Sequence, residues 1–257
     1  MKSQSPLAKH LILSALLCVG LTACDGCDSN PQADPASAPE ASTGETWPGN
    51  LPADATVEPI ERRTAANYYI VFDGSGSMDE AKCSGTEKKI DIAKRAFQEF
   101  AATIPGSANV GLAVFDEDGL NERLPLTQQG GNRAGQLVQQ VAPGGGTPLQ
   151  ASVLLGKEKL KYQAARQLGY GEYHLVIVTD GEASKGQDPS DAVNALLAES
   201  PILVHTVGFC LGEDHSLNQA GRVYYQAADN PEELKKGLSE VLAEAPAFSV
   251  DAFKKTQ

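Results

Sequence analysis

Three short polar segments of the chain carry residue types that could do chemistry together. The first is Asp73-Gly74-Ser75-Gly76-Ser77-Met78, the second Gly144-Gly145-Gly146-Thr147-Pro148, and the third Val178-Thr179-Asp180-Gly181-Glu182. Between them they offer two carboxylates and three hydroxyls, interleaved with glycines that let the backbone turn tightly and approach closely. Hard oxygen donors of this kind suit Mg²⁺, Mn²⁺ or Ca²⁺, whereas Zn²⁺ prefers His and Cys. Two carboxylates neutralise a divalent cation, and hydroxyls add coordination without adding charge. Such a cation stays electrophilic toward a further anion, and an octahedral Mg²⁺ shell keeps a place for one. Asp79, Glu80 and Glu182 lie beside these segments and read as solvated loop acids, or as groups that tune the site or hold a neighbouring cation.

The elements that must position these segments alternate between strand and helix. Residues 67–72, 110–115, 174–179 and 202–209 are short apolar runs rich in Val, Ile and aromatics, bounded by Gly, Asp or Pro. Runs without polar alternation predict strands buried on both faces. Ile90, Ala93, Phe97, Phe100 and Ile104 recur at helical spacing, with Lys88, Lys89, Lys94 and Glu99 on the polar side, and Pro105-Gly106 ends that helix. Pro148, Pro189 and Pro231 mark the starts of three further helices. Residues 122–126, after the turn at 116–119, read as the return strand of a hairpin and an antiparallel edge, and residues 223–226 as a last short strand. This order predicts an α/β fold: a doubly wound, Rossmann-like, mostly parallel sheet with one antiparallel edge strand and helices on both faces. In such a sheet ligands bind at the carboxyl ends of the strands, where strand order reverses. All three polar segments fall at that edge.

This constellation resembles the von Willebrand factor type A (VWA) domain and its metal ion-dependent adhesion site. The family pattern is Asp-x-Ser-x-Ser after the first strand, a Thr in the middle and an Asp closing the fourth strand; Asp73, Ser75, Ser77, Thr147 and Asp180 fill those five positions. The resemblance covers about residues 65–245. It implies a divalent cation, Mg²⁺ first and Mn²⁺ or Ca²⁺ as alternatives, with Ser75, Ser77 and Thr147 binding directly or nearly so and Asp73 and Asp180 partly through water. It also implies a protein partner that offers Asp or Glu to the open position.

Enzymatic readings fit less well. A haloacid-dehalogenase-type phosphatase needs a second Asp where this chain has Ser75, and a dinucleotide-binding turn needs a spacing that Gly144-Gly145-Gly146 lacks. Of the four His, His10 lies in the N-terminal leader, His174 and His205 fall in strands and read as core or sheet-face residues, and His215 sits in a loop without an evident Ser and Asp pairing. The chain is therefore expected to bind and not to catalyse. A structural role in an envelope complex, with the metal holding loops together, is the alternative.

The chain's 257 residues carry 21 Lys and Arg against 33 Asp and Glu, a formal charge of −12. This acidic balance removes the electrostatic attraction on which nucleic-acid affinity rests, so nucleic acid is not expected as a partner. Lys2, Lys9 and His10 precede the apolar run 11–21 and the small Ala23, the order of a secretory signal peptide. Leu21-Thr22-Ala23-Cys24 resembles a bacterial lipobox, which implies cleavage before Cys24, its lipidation and attachment to a membrane. Loss of residues 1–23 removes two Lys and no acid, leaving −14. Asp25 resembles an inner-membrane retention signal, which favours the periplasmic face of that membrane in the cell envelope. From 24 to 63 the chain is rich in Pro, Ala, Ser and acids and predicts a disordered tether; Trp47 within it either docks on the domain or a partner, or is one more tether residue. The folded domain is assigned to 64–245 and a tail to 246–257. Of the remaining cysteines, Cys83 and Cys210 fall in loops at the same sheet edge; a disulfide between them would brace the metal-bearing loop, with free thiols as the alternative. Cys27 is then unpaired.

Overall fold

The computed structural model describes residues 47–51, 57–82, 85–212, 215–219 and 221–243. The expected signal peptide, Cys24, Cys27, Cys83 and the 246–257 tail lie outside the described residues. Six strands form one sheet: β1 (Ala66–Asp73), β2 (Asn109–Asp116), β3 (Gly119–Gln128), β4 (Glu172–Thr179), β5 (Leu203–Phe209) and β6 (Tyr224–Ala228). Their spatial order is β3-β2-β1-β4-β5-β6. Only β2 and β3 run antiparallel, which places the hairpin strand at one edge as expected. The chain moves from β1 outward to β2 and β3, then returns to the other side of β1 for β4, β5 and β6. Strand order therefore reverses between β1 and β4.

The central strands are apolar on both faces because each face is covered. On one side, α1 (Lys89–Thr103), α2 (Gly130–Val138) and α5 (Pro231–Ala243) pack Phe97, Phe100, Val138, Leu234 and Leu238 against Ile70, Phe72, Val176 and Val178. On the other, α3 (Leu149–Arg166) and α4 (Ser190–Glu199) pack Val153, Leu160, Val193 and Leu196 against Tyr69, Val71, Leu175 and Ile177. The side chain of β1 at each position thus feeds one of two cores by simple alternation. No helix among the described residues is long and apolar enough to cross a membrane.

Two elements depart from the sequence expectation. The sequence pattern does not predict helix α2, because Gly130, Gly131 and Gly135 are poor helix formers. The glycines are there for contact: a Cβ on Gly131 would lie 2.3 Å from the carbonyl oxygen of Ala101 in α1. The second concerns the proline-rich segment, expected to be a disordered tether from 24 to 63 in which Trp47 either docks on the domain or a partner or is one more tether residue. Its described parts are held on the domain: Trp47 packs edge-to-face on Tyr173 with ring centroids 5.4 Å apart, and the Ile60 N–H donates to the Arg166 carbonyl at 2.9 Å. The apolar ring of Trp47 gains more from Tyr173 and the α3 side of the domain than from water.

Candidate functional site

Strand β1 ends in Asp73, and β4 ends in Thr179 with Asp180 next in the chain. These are the two strands flanking the reversal point, so parallel pairing alone brings both carboxylates to one crevice. The Asp73 carboxylate is fully buried and used on both oxygens. The Ser75 N–H donates to its Oδ1 at 2.7 Å; the Thr179 hydroxyl donates to its Oδ2 at 2.6 Å, and the Asp180 N–H reaches the same oxygen at 3.4 Å. Ser77 continues the network: its hydroxyl donates to Asp180 Oδ1 at 2.8 Å and lies 3.1 Å from the Ser75 hydroxyl. After Ser75 the chain makes a short 3₁₀ turn, Gly76–Asp79, which buries Met78 and leaves Asp79 and Glu80 exposed.

The middle segment is stitched to both neighbours. The Gly144 N–H donates to the Gly74 carbonyl at 2.8 Å, and the Gly76 N–H to the Gly145 carbonyl at 3.2 Å. Gly145 adopts φ +70°, a left-handed conformation that most side chains avoid, and this turns Thr147 toward the crevice. Thr147 then pairs with Ser184: its N–H donates to the Ser184 hydroxyl at 2.8 Å, and its carbonyl accepts the Ser184 N–H at 3.0 Å. The hydroxyls of Ser77 and Thr147 converge beside Gly181, lying 3.5 and 3.6 Å from where a side chain there would begin. All five residues singled out from the sequence are therefore gathered at one edge of the sheet.

Electrostatics follow from burial. Loss of water pushes the Asp73 carboxyl up from its usual range to about 6, and the nearby Asp180 pushes it the same way; the hydrogen bonds from Ser75 and Thr179 act against both. Asp180 has a counter-charge that the helical pattern assigned to solvent. Lys89, expected on the polar side of α1, is instead 2% exposed, and its ammonium pairs with Asp180 Oδ2. The pattern misplaced it because Lys89 is the first residue of the helix, where the approaching 73–80 loop and not the helical period decides burial. Its backbone N–H donates to the Glu80 carbonyl at 2.9 Å, which ties the helix start to that loop.

His215 and Ser184 were also not assigned to the site, and neither has a signal in the sequence. The Leu217 N–H donates to His215 Nδ1 at 3.1 Å, so Nε2 carries the proton and donates to the Gly181 carbonyl at 3.1 Å. Asp79 pairs with the exposed Lys88, and Glu182 lies in solvent 3.9 Å from His215. Both behave as the loop acids expected. Cys210, at φ +61°, has its Sγ 3.1 Å from the Lys82 carbonyl oxygen, one residue short of Cys83.

The donor set fits a hard cation. Two buried carboxylates stand beside three hydroxyls, an all-oxygen set of the kind that suits Mg²⁺, Ca²⁺ or Mn²⁺. The von Willebrand factor type A domain model matches residues 67–257, well over half of the sequence. The chain belongs to the VWA family. Among curated relatives it is 29% identical over 163 residues to the uncharacterized protein YwmD of Bacillus subtilis (strain 168), covering 58% of this chain and 70% of YwmD. It is 27% identical over 178 residues to YwmC of the same organism, covering 63% and 75%. Solved structures share the VWA fold: an aerotolerance-related membrane protein from Bacteroides fragilis (18% identity, TM-score 0.54, 70% of this chain and 99% of that one) is one. Proximal thread matrix protein 1 of the mussel byssus, with a zinc-occupied MIDAS motif, is another (18%, TM-score 0.55, 73% and 48%). Manganese-loaded TRAP protein of Plasmodium vivax is a third (16%, TM-score 0.52, 70% and 74%).

Proposed function

We propose that this VWA chain is a lipid-anchored binding module of a bacterial cell envelope. In this reading it holds a divalent cation with Asp73, Ser75, Ser77, Thr147 and Asp180 and captures a protein partner through an acidic side chain. The observation that carries it is the single hydrogen-bonded cluster of Asp73, Ser75, Ser77 and Asp180, with the Thr147 hydroxyl beside it, at the crevice between β1 and β4. Zinc and manganese in the mussel and Plasmodium relatives support a divalent cation as its occupant, with Mg²⁺ the first expectation for this chain. When bound, the cation supplies a fixed positive charge with room for one more oxygen.

The chain's own residues do the rest. Thr179 and the Ser75 N–H orient Asp73, the Ser77 hydroxyl orients Asp180, and Ser184 holds the Thr147 loop in place. A binding role is supported by the histidines: His174 and His205 are buried within the sheet and His215 is engaged with backbone on both ring nitrogens. A Cys83–Cys210 disulfide bracing the 73–83 loop is part of the proposal, supported by the position of Cys210 Sγ beside residue 82. So is attachment to the periplasmic face of the inner membrane through Cys24. The leader and lipobox sequence support it, as does the description of the Bacteroides relative as a membrane protein. Trp47 is docked on Tyr173 at the start of β4, the end of the sheet opposite the site, so a tether that leaves from Trp47 keeps the site on the far side of the domain.

The test is a pull-down from solubilised envelope of the source bacterium, with the full-length chain as bait, in Mg²⁺, in EDTA and with Asp73→Ala. A partner retained only by wild type with Mg²⁺ is the expected result. Equal recovery in all three, with each bait confirmed folded, would overturn metal-dependent capture and favour a scaffold whose recognition lies elsewhere.

A further inference from the structure

We propose that Lys89 is a fixed third charge of the site, one that makes the loaded site net positive and so biases it toward an anionic partner group at the expense of metal affinity. The inference rests on the cation-site reading above and adds to it the way the site chooses its ligand.

Lys89 stands where neither folding nor helix stability favours a cation. Its side chain is 3% exposed and that of Asp180 fully buried, and lysine is almost never buried without a partner. It is also the first residue of α1, beside the positive end of the helix dipole, where a negative side chain would be the stabilising choice. No side-chain cap is made at that helix start, and the acid of its first turn, Asp91, is exposed. What compensates is Asp180: its Oδ2 takes the ammonium and has no other hydrogen-bond partner, while Oδ1 accepts from Ser77. One carboxylate is thus divided between a built-in cation on one oxygen and the adhesion-type hydroxyl cluster on the other.

The charge arithmetic then decides the preference. Asp73 and Asp180 carry two negative charges and Lys89 one positive, so the empty crevice is singly negative. A divalent cation makes it singly positive, and a carboxylate from outside brings it to neutrality. With an uncharged residue at position 89 the cation alone would reach neutrality, and an incoming carboxylate would create a net negative charge in a buried setting. Charge imbalance is expensive there because the surroundings screen it poorly. Lys89 therefore weakens the cation's hold when no acid is present and strengthens the site's hold on an incoming carboxylate, which tightens the cation by the same factor as the cation tightens it.

The experiment uses the full-length chain in detergent, titrated with Mn²⁺ while free Mn²⁺ is read by electron paramagnetic resonance, with and without acetate as the carboxylate probe. In wild type, acetate is expected to tighten Mn²⁺ binding. Lys89→Met is expected to bind Mn²⁺ about tenfold more tightly without acetate and to lose most of the acetate effect. Lys89→Arg, which keeps the charge, should behave like wild type in both. Lys89→Gln, which can still donate to Asp180, takes the place of Met should that variant fail to fold by circular dichroism. Unchanged or weaker Mn²⁺ binding in a folded neutral variant, with the acetate effect intact, overturns the role of Lys89. Absence of Mn²⁺ binding by wild type overturns the cation-site reading itself, and with it this inference.

Discussion

At the scale of single residues, Asp73 concentrates the cost of the site. It is buried among neutral donors, close to a second carboxylate, and its carboxyl is raised to about 6 from the usual 3.8. The sign of the consequence follows from which state holds its proton longer. Below about pH 4 the group is neutral in both folded and unfolded chains and contributes nothing. Between about pH 4 and 6 the unfolded chain loses its proton first, so the metal-free fold loses stability as pH rises. By pH 7 the loss is about 3 kcal/mol. Asp73→Asn lacks this penalty. In EDTA the variant should therefore gain on wild type by about that amount between pH 4 and pH 7, as read by urea denaturation at each pH. Adding Mg²⁺ at pH 7 should reverse the order, because ligand binding stabilises only the chain that can bind. A difference between the two proteins that stays flat with pH in EDTA would mean Asp73 is ionised without strain.

At the scale of elements, the sheet carries a second row of polar rings that the site does not use, buried except at its exposed end, Tyr224. Tyr68, His174, His205 and Tyr224 line up across β1, β4, β5 and β6, with neighbouring rings 4.6, 5.3 and 5.0 Å apart, and the two imidazoles, tilted by 31°, are joined by a 3.1 Å hydrogen bond. Burial lowers His174 to about 4; burial, and then the neighbouring His174, lower His205 to about 3. Glu172 lies 3.6 Å from His174 Nε2 and favours the charged form, but desolvation outweighs it. These histidines are neutral when folded and protonate near 6.5 when unfolded, so the stability they allow is complete above that pH and is lost as pH falls toward 4. Each contributes a slope of about 1.4 kcal/mol per pH unit in that window. Replacing both, His174→Leu with His205→Phe, should flatten the acid limb of a stability curve measured from pH 7 to 4.5; an unchanged limb would mean the pair stays solvated.

Helix α2 offers a sharper test of what built the fold. Propensity alone says Gly131→Ala should stabilise a helix by about 1 kcal/mol. The new Cβ would meet the Ala101 backbone oxygen at 2.3 Å, and backbone cannot swing aside, so destabilisation by about 1–3 kcal/mol is expected in urea. Gly135→Ala is the control, since its nearest neighbour would be 3.5 Å away, and it should be neutral or mildly stabilising. If both variants stabilise, the close α1–α2 approach does not constrain the glycines. The same contrast explains what could be read before the structure. β1, β2, β4 and β5 announce themselves as unbroken apolar runs, and the Asp-x-Ser-x-Ser, Thr and Asp segments sit where those runs end. Helix α2 did not, because its glycines serve a neighbour distant in sequence, and propensity counts only local cost. Lys89 was misassigned for the same reason: a 3.6-residue period places a side chain on a face but does not say that a loop will cover the first turn. Ser184 and His215 join the site through backbone bonds to Thr147 and Gly181, for which no residue spacing gives a sign.

At the scale of the molecule, the proline-rich segment and the domain are linked at Trp47. The ring is half-buried against Tyr173, at the start of β4, whereas Asp73 and Asp180 lie at the strand ends opposite. Under the proposed lipid anchor, position 47 rather than 63 is the point from which the expected tether would act. From Cys24 to Trp47 the chain has 22 intervening residues, against 38 to residue 63. For the tether expected from the sequence, with a reach of about 5–6 Å times the square root of its length, docking at Trp47 would shorten the r.m.s. reach from about 35 Å to about 25 Å. Trp47→Ala should cost about 1–2 kcal/mol of domain stability, the value of a partly buried aromatic. It should also raise hydrogen exchange across 47–51 while leaving Mn²⁺ affinity at the distant site unchanged. Exchange at 47–51 that is already fast in wild type would show that the ring is not held in solution, and the tether would then run on toward the Ile60–Arg166 hydrogen bond. An altered Mn²⁺ affinity would be a different result. It would mean that the two ends of the sheet are coupled, so that tension on the anchor could reach the metal edge through β4, the strand that touches Trp47 at one end and presents Asp180 at the other.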